Sequence, residues 1–368
     1  MMQLTRRDWF AAPLLAAQPE PVLPLDEVRR DALAYCQAMR DPGGPHGCYR
    51  GGPGKRTDLY SSCDIAILRA VMGENLVKTV SQAERLQWIA HINSFVDRSM
   101  VPAPPDGSYS DTYGHSKLHA NGMVVGALGA LGGRQAFPVR LYDVFDSAAK
   151  VGPWLEAIDW ARQWQASHLF WGGMLCFSHS RHCPPDWLDA VFRWLDRNLD
   201  EKTGWWRKGV PHADRHQPLG GSVHILPLYE HHRRKFPYPE RVIDSVLALQ
   251  VPTGRWLESK DPIVMSYLEL DALYALALMR SQAPGYRERD IQAAVARYGR
   301  SVCRYYRERA SDLYRVHPHR VLAAVGTFGL LGRLAPHMFP SDGRWTDIFS
   351  DPRFHRTFAV EAEVAAAK

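Results

Sequence analysis

The chain has 368 residues, 46% of them hydrophobic and 23% charged, with a formal charge of +6. Such a composition builds a sizeable core, and no apolar run approaches the ~20 residues that a membrane span needs. Basic residues are interspersed with acids, as in Glu27-Val28-Arg29-Arg30 and Arg287-Glu288-Arg289-Asp290, so no nucleic-acid-binding stripe forms and no nucleic-acid partner is expected.

Thr5-Arg6-Arg7-Asp8-Trp9-Phe10, followed by Ala11-Ala12-Pro13-Leu14-Leu15-Ala16-Ala17, resembles a twin-arginine export signal over residues 1–17. It places residues 18–368 in the periplasm or outside the cell. The alternative is a cytoplasmic protein with an apolar N-terminal arm. Helical periodicity then dominates: Leu25–Met39, Asp58–Met72, and Ser81–Val96, where Ser81 and Glu84 form a capping box. Further helical stretches are predicted at Ser116–Leu131, Phe137–Ala149, Trp154–Ala166, Trp187–Leu199 and Gly220–Arg234. The last are Glu240–Leu249, Ser266–Met279, Arg287–Arg307 and Pro318–Leu334. Strand-like alternation is almost absent, so the fold class is all-α. The six cysteines have irregular spacing and no C-x-x-C. Buried free thiols are expected over a full set of bridges, although Cys48 with Cys63 would close a short loop.

A glycine beside an aromatic residue recurs: Gly47-Cys48-Tyr49, Gly107-Ser108-Tyr109, Trp171-Gly172-Gly173, Gly204-Trp205-Trp206 and Gly254-Arg255-Trp256. Gly204 and Gly254 stand about 50 residues apart, and Gly107 and Gly204 about twice that, a period that marks a repeated helical hairpin. One hairpin cannot bury its apolar face alone, so neighbours must stack. Irregular loops and the lack of capping repeats favour a closed ring, with the turns and their aromatics around a central cavity.

Over residues 40–335 this pattern resembles the α/α-toroid proteins: six-hairpin glycosidases, toroidal polysaccharide lyases, and terpenoid-cyclase and prenyltransferase folds. The resemblance implies one α/α-toroid domain over 18–368, a complete or incomplete barrel of helical hairpins. The acidic runs of terpene chemistry and the prenyltransferase zinc motif are absent, which leaves a carbohydrate-active hydrolase or lyase as the leading expectation. A non-catalytic toroid that binds a ligand or partner is the alternative, and a terpenoid cyclase ranks below both.

Chemistry-bearing residues fall into clusters. The segment 106–122 holds Asp111, Tyr113, His115, His119 and Asn121. His115 and His119, four apart, share a helix face, and general acid–base catalysis needs such groups within hydrogen-bond reach. In a toroidal lyase, the resemblance implies, an Asn neutralises the substrate carboxylate, a His or Tyr takes the α-proton and a Tyr protonates the leaving oxygen. The second cluster is Asp159, His168 and Trp171. Trp205, Trp206 and Trp256 would add stacking surface for a sugar, with His212 beside them. Trp160 and Trp164 read as core. Among the acids, Asp64 and Asp271 sit in apolar helices, where a carboxylate must be paired, capped or functional. Glu269 lies two positions from Asp271, so at most one of them faces the cavity. The expected catalytic set is therefore Asp111, Tyr113, His115, His119, Asp159 and Asp271. The substrate-binding set is Asn121, His168, Trp171, Trp205, Trp206, His212 and Trp256. His179, His182 and Cys183, like His212 and His216, lack a full tetrahedral set, and no metal or cofactor is expected. A small molecule or oligosaccharide is the expected partner. Phosphate loops, dinucleotide fingerprints and nucleophile elbows are absent.

Overall fold

Residues 20–97 and 107–356 are described by a computed structural model; the arginine pair and the apolar segment that follows it lie outside them. In chain order the helices are α1 (Leu25–Met39), α2 (Leu59–Val71), α3 (Leu76–Thr79), α4 (Gln82–Asn93), α5 (Lys117–Leu131), α6 (Ala148–Glu156), α7 (Gln163–Leu169) and α8 (Cys176–Ser178). There follow α9 (Trp187–Arg197), α10 (Gln217–Ser222), α11 (Leu226–His231), α12 (Pro239–Leu249), α13 (Tyr267–Gln282), α14 (Glu288–Leu313) and α15 (Pro318–Leu334). A π-helical stretch, Phe170–Leu175, joins α7 to α8. Among the described residues the only β-structure is isolated bridges, and no helix is long and apolar enough to cross a membrane.

Two kinds of helix alternate along the chain. In α2, α5 and α15 nearly every residue is buried, as befits helices that are apolar all round and surrounded by protein. By contrast α9 buries one stripe, Trp187, Val191, Phe192, Trp194 and Leu195, and α14 buries Ile291, Val295, Tyr298 and Val302 at helical spacing. The all-buried helices form an inner ring: α2 packs on α5, α5 on the π stretch, α7 on α10, α10 on α13, α13 on α15, and α15 back on α2. The amphipathic helices α1, α4, α6, α9, α12 and α14 lie outside it. The architecture is a closed α/α toroid.

The recurrent glycine turn couples one hairpin to the next. It follows an outer helix, closes with a β-bridge such as Val96↔Tyr109 or Leu199↔Trp206, and leads to an inner helix. Gly204 and Gly254 have φ of +74° and +89°, and a Cβ on either would meet the following outer helix, at Val242 of α12 or the Arg297 backbone of α14. Serines on those helices reinforce the join: Ser245 donates to Thr203 O at 2.8 Å and Ser301 to Thr253 O at 2.7 Å. The aromatics after the glycine (Tyr49, Tyr109, Trp206, Trp256) are buried as wedges in this join. Trp171-Gly172-Gly173 departs from the pattern, because it lies within the π-helical stretch rather than on a turn.

Three predicted stretches differ. Phe137–Ala149 holds only a 3₁₀ turn, Arg140–Tyr142, before α6 begins. Trp154–Ala166 is broken after Glu156, where Asp159 caps a separate 3₁₀ turn through Ala161 N and Arg162 N. Gly220–Arg234 is split into α10 and α11. All six cysteines are free; Cys48 is not bridged to Cys63, and its Sγ lies 3.4 Å from His91 Nδ1.

Candidate active site

The inner helices bring the beginnings of their sequences to one end of the ring, around a chamber of about 330 Å³. His119 and Met123 come from the first two turns of α5. Tyr267 and Asp271 come from the start of α13, His319 and Leu322 from the start of α15, and Gln217 opens α10. Trp164, Gln165 and His168 are from α7, Trp171 from the π stretch, and His115 from the loop before α5. His224, between α10 and α11, completes the imidazole wall. Ile348 and Phe349 reach in from the segment after α15.

Two glycines set the spacing of the histidines. A Cβ on Gly172 would fall 1.6 Å from Leu118 O, and one on Gly122 would fall 2.8 Å from Gly172 Cα. The π stretch and α5 therefore touch backbone to backbone, and π-helical segments recur at functional sites. Asn121 locks this contact: its amide donates to Gly172 O and to Tyr142 Oη, both at 2.7 Å, and its carbonyl accepts from Gln135 at 2.9 Å. As a result His119 and His168 have ring centres 4.7 Å apart, and His115 lies 4.3 Å from His119.

Electrostatics follow from burial without counter-ions. Desolvation, then the neighbouring His319, lowers His115 to about 4, and desolvation with the nearby histidines lowers His168 to about 3. His119 and His224 are driven well below the ordinary histidine value for the same reason. All are neutral imidazoles at neutral pH. Tyr60 Oη pairs with His119 Nδ1 at 2.8 Å, and its ring stacks on that imidazole. Asp64 Oδ1 lies 2.9 Å from His319 Nδ1. Burial raises the Asp64 carboxyl and lowers His319 to about 3, so both favour their neutral forms. No hydrogen bond occupies His319 Nε2 among the described residues, and its ring lines the chamber. Asp271 is fully buried, with neither carboxylate oxygen partnered. Desolvation, then Glu269, pushes its pKa well up, which favours the protonated carboxyl. Glu269 turns away to a buried pair with Arg255 and caps Ser266.

Of the residues expected from sequence, His115, His119, His168, Trp171 and Asp271 meet at the chamber. Tyr113 sits at its edge with φ of +50°, packed on Tyr60, His317 and His319. The others are elsewhere. Asp111 holds the start of α2 through Leu59 N and its own loop through Tyr113 N. Asn121 is spent on the π contact, and Asp159 is an exposed cap. Trp206 and Trp256 are wedges, Trp205 is buried outside the chamber, and His212 is not among its lining. Trp164, read as core, lines the chamber. His179 donates along a relay to His231 Nδ1 (2.9 Å), whose Nε2 reaches Phe349 O (2.7 Å), holding the segment that carries Phe349 against the wall. Sequence reasoning passed over Tyr60, Gln217, His224, Tyr267 and His319. The available signal was position, because several of these are polar residues in the opening turns of all-apolar helices.

No family model matches the chain, and no curated protein matches it. Among solved structures it is similar to an aspartate-to-asparagine variant of the type II terpene cyclase MstE from Scytonema, in complex with geranylgeranyl dihydroxybenzoate. That likeness has 15% identity and a TM-score of 0.43, and covers 75% of this chain and 77% of the other.

Proposed function

We propose that the chamber is the active site of an enzyme that moves protons on a small sugar acid or the end of an oligosaccharide, by elimination. The observation that carries this is Asp271, a carboxyl whose burial favours its protonated form and whose oxygens are both unpartnered, lining the same chamber as neutral imidazoles. A buried polar group left unpaired costs about 1–3 kcal/mol, and such a cost is retained where a ligand completes the partnership. At about 330 Å³ the chamber is at the small end of ligand pockets, with room for one or two rings. Trp164, Trp171 and Phe349 offer faces on which a sugar ring stacks.

In this reading the reactive form has Asp64 ionised and accepting the Nδ1–H of His319, which leaves Nε2 of His319 to take the proton on the carbon next to the substrate carboxyl. The electron pair left behind forms the new C=C bond as the neighbouring C–O bond breaks, and the expelled oxygen takes the Asp271 proton. The products are an unsaturated sugar acid and a free hydroxyl, and proton exchange with water restores His319 and Asp271. Hydrolysis by paired carboxylates fits less well, because the mechanism needs two acids flanking the bond and among the described residues Asp271 is the one carboxylate lining the chamber. The apolar patch of Met123, Leu322, Ile348 and Phe349 favours a terpenoid substrate protonated by Asp271 as the second reading. Five neutral imidazoles would deprotonate a carbocation early, which weighs against it. The test is incubation with a panel of uronate oligosaccharides, following reducing ends together with the near-ultraviolet absorbance of the conjugated product. Both signals should rise in step. Reducing ends without absorbance would make the protein a hydrolase, and saturable binding without either signal would make it a binding protein.

A further inference from the structure

One ring nitrogen from each of His115, His119 and His168 lies within 4.8 Å of the others. We propose that these three histidines hold a single divalent transition-metal ion, zinc foremost, with its open position facing the chamber. Three imidazoles and an open fourth position are a recurrent catalytic zinc arrangement. In a bound tetrahedron the nitrogens stand about 3.3 Å apart, so rotation of the rings closes the set. The three have the freedom to do so. No hydrogen bond ties down the ring of His115 or His168 among the described residues, and His119 is held through Nδ1 by Tyr60 at 2.8 Å. That bond leaves Nε2 of His119 for the ion, and an oxygen partner on the far ring nitrogen is how metal-bound histidines are usually oriented. All-imidazole donors suit zinc, copper, nickel or iron rather than magnesium or calcium.

The ion would also supply what the chamber lacks. Among the described residues no Lys or Arg lines it, yet elimination beside a carboxylate requires a positive charge on that group. This role rests on the function proposed above, whereas the binding of the ion does not. Tag-free protein stripped with a chelator and titrated with zinc chloride should bind one equivalent. His119→Ala and His168→Ala should each weaken it at least 100-fold, and cobalt(II) should give visible d–d bands that these variants lose. His115 stands on a half-buried loop, so His115→Ala tests the site even if the helix variants fold poorly. His179→Ala and His231→Ala, in the separate histidine relay, serve as controls and should bind as wild type. Absence of stoichiometric binding, or binding unchanged in all three triad variants, would overturn the proposal. Zinc bound without uronate turnover would leave the site standing and remove the lyase reading. Turnover indifferent to stripping would keep that reading and remove the metal's part in it.

Discussion

Asp271→Asn is expected to abolish turnover and, at neutral pH, to make the protein more stable. Loss of a positioned general acid costs on the order of 10²–10⁴ in rate. The stability gain has a definite sign. The folded-state pKa of Asp271 lies well above its unfolded value, because burial penalises the carboxylate. Below an unfolded value of about 4 both states are protonated and the wild-type carboxyl carries no ionisation penalty. As pH rises, the unfolded chain ionises and the folded one does not. Wild type therefore loses about 1.4 kcal/mol per pH unit relative to the Asn variant, until the folded pKa is reached. Urea melts of both proteins across pH 4 to 8 should show near-equal stability at the acid end and a gap that widens with pH. A gap that narrows instead would mean that Asp271 is ionised and paired.

The second large effect is steric. In Gly172→Ala the new methyl falls 1.6 Å from Leu118 O and 2.6 Å from Gly122 N, both backbone atoms with no freedom to yield. The π stretch must back away from α5. That breaks the Asn121 bond to Gly172 O, and it shifts Trp171 and His168 relative to His119. A loss of about 3–5 kcal/mol is expected, at the upper end for a single substitution, together with loss of any ligand bound among the three histidines. Gly152→Ala is the matched control. It lies inside α6 with nothing within 4 Å of the added carbon, so removing a helix-interior glycine should gain about 0.5–1 kcal/mol. Thermal melts of the pair should move in opposite directions. A Gly172 variant as stable as wild type would remove the backbone contact as the element that sets the site.

Much of the fold was legible because local signals and the tertiary structure agree. Leu25–Met39 and Pro318–Leu334 end where their apolar pattern ends, and the Ser81–Glu84 box forms as read. The three misread stretches share a cause. In each, apolar periodicity continues where the helix does not: Phe137–Ala149 holds only the turn Arg140–Tyr142 before α6, Asp159 caps a new turn, and α10 stops at Ser222 before α11 starts at Leu226. The site was legible where it is local, in 106–122, and opaque where closure makes it. His319 meets Asp64 across 255 positions, and no spacing rule reaches that far. Trp206 and Trp256 misled for a related reason. A tryptophan on a turn reads as cavity-facing only if the next hairpin is left out of account, and here that hairpin covers it.

Ring closure also bears on how the molecule comes apart. A linear stack of hairpins has two terminal units, each secured on one side, and loses them first, fraying inward one interface at a time. Because α15 returns to α2, every hairpin here is gripped on both flanks and detaching any of them costs two interfaces at once. The chamber residues are drawn from nearly all of these units, so no partial opening spares the site. Unfolding and loss of function should coincide in a single cooperative event.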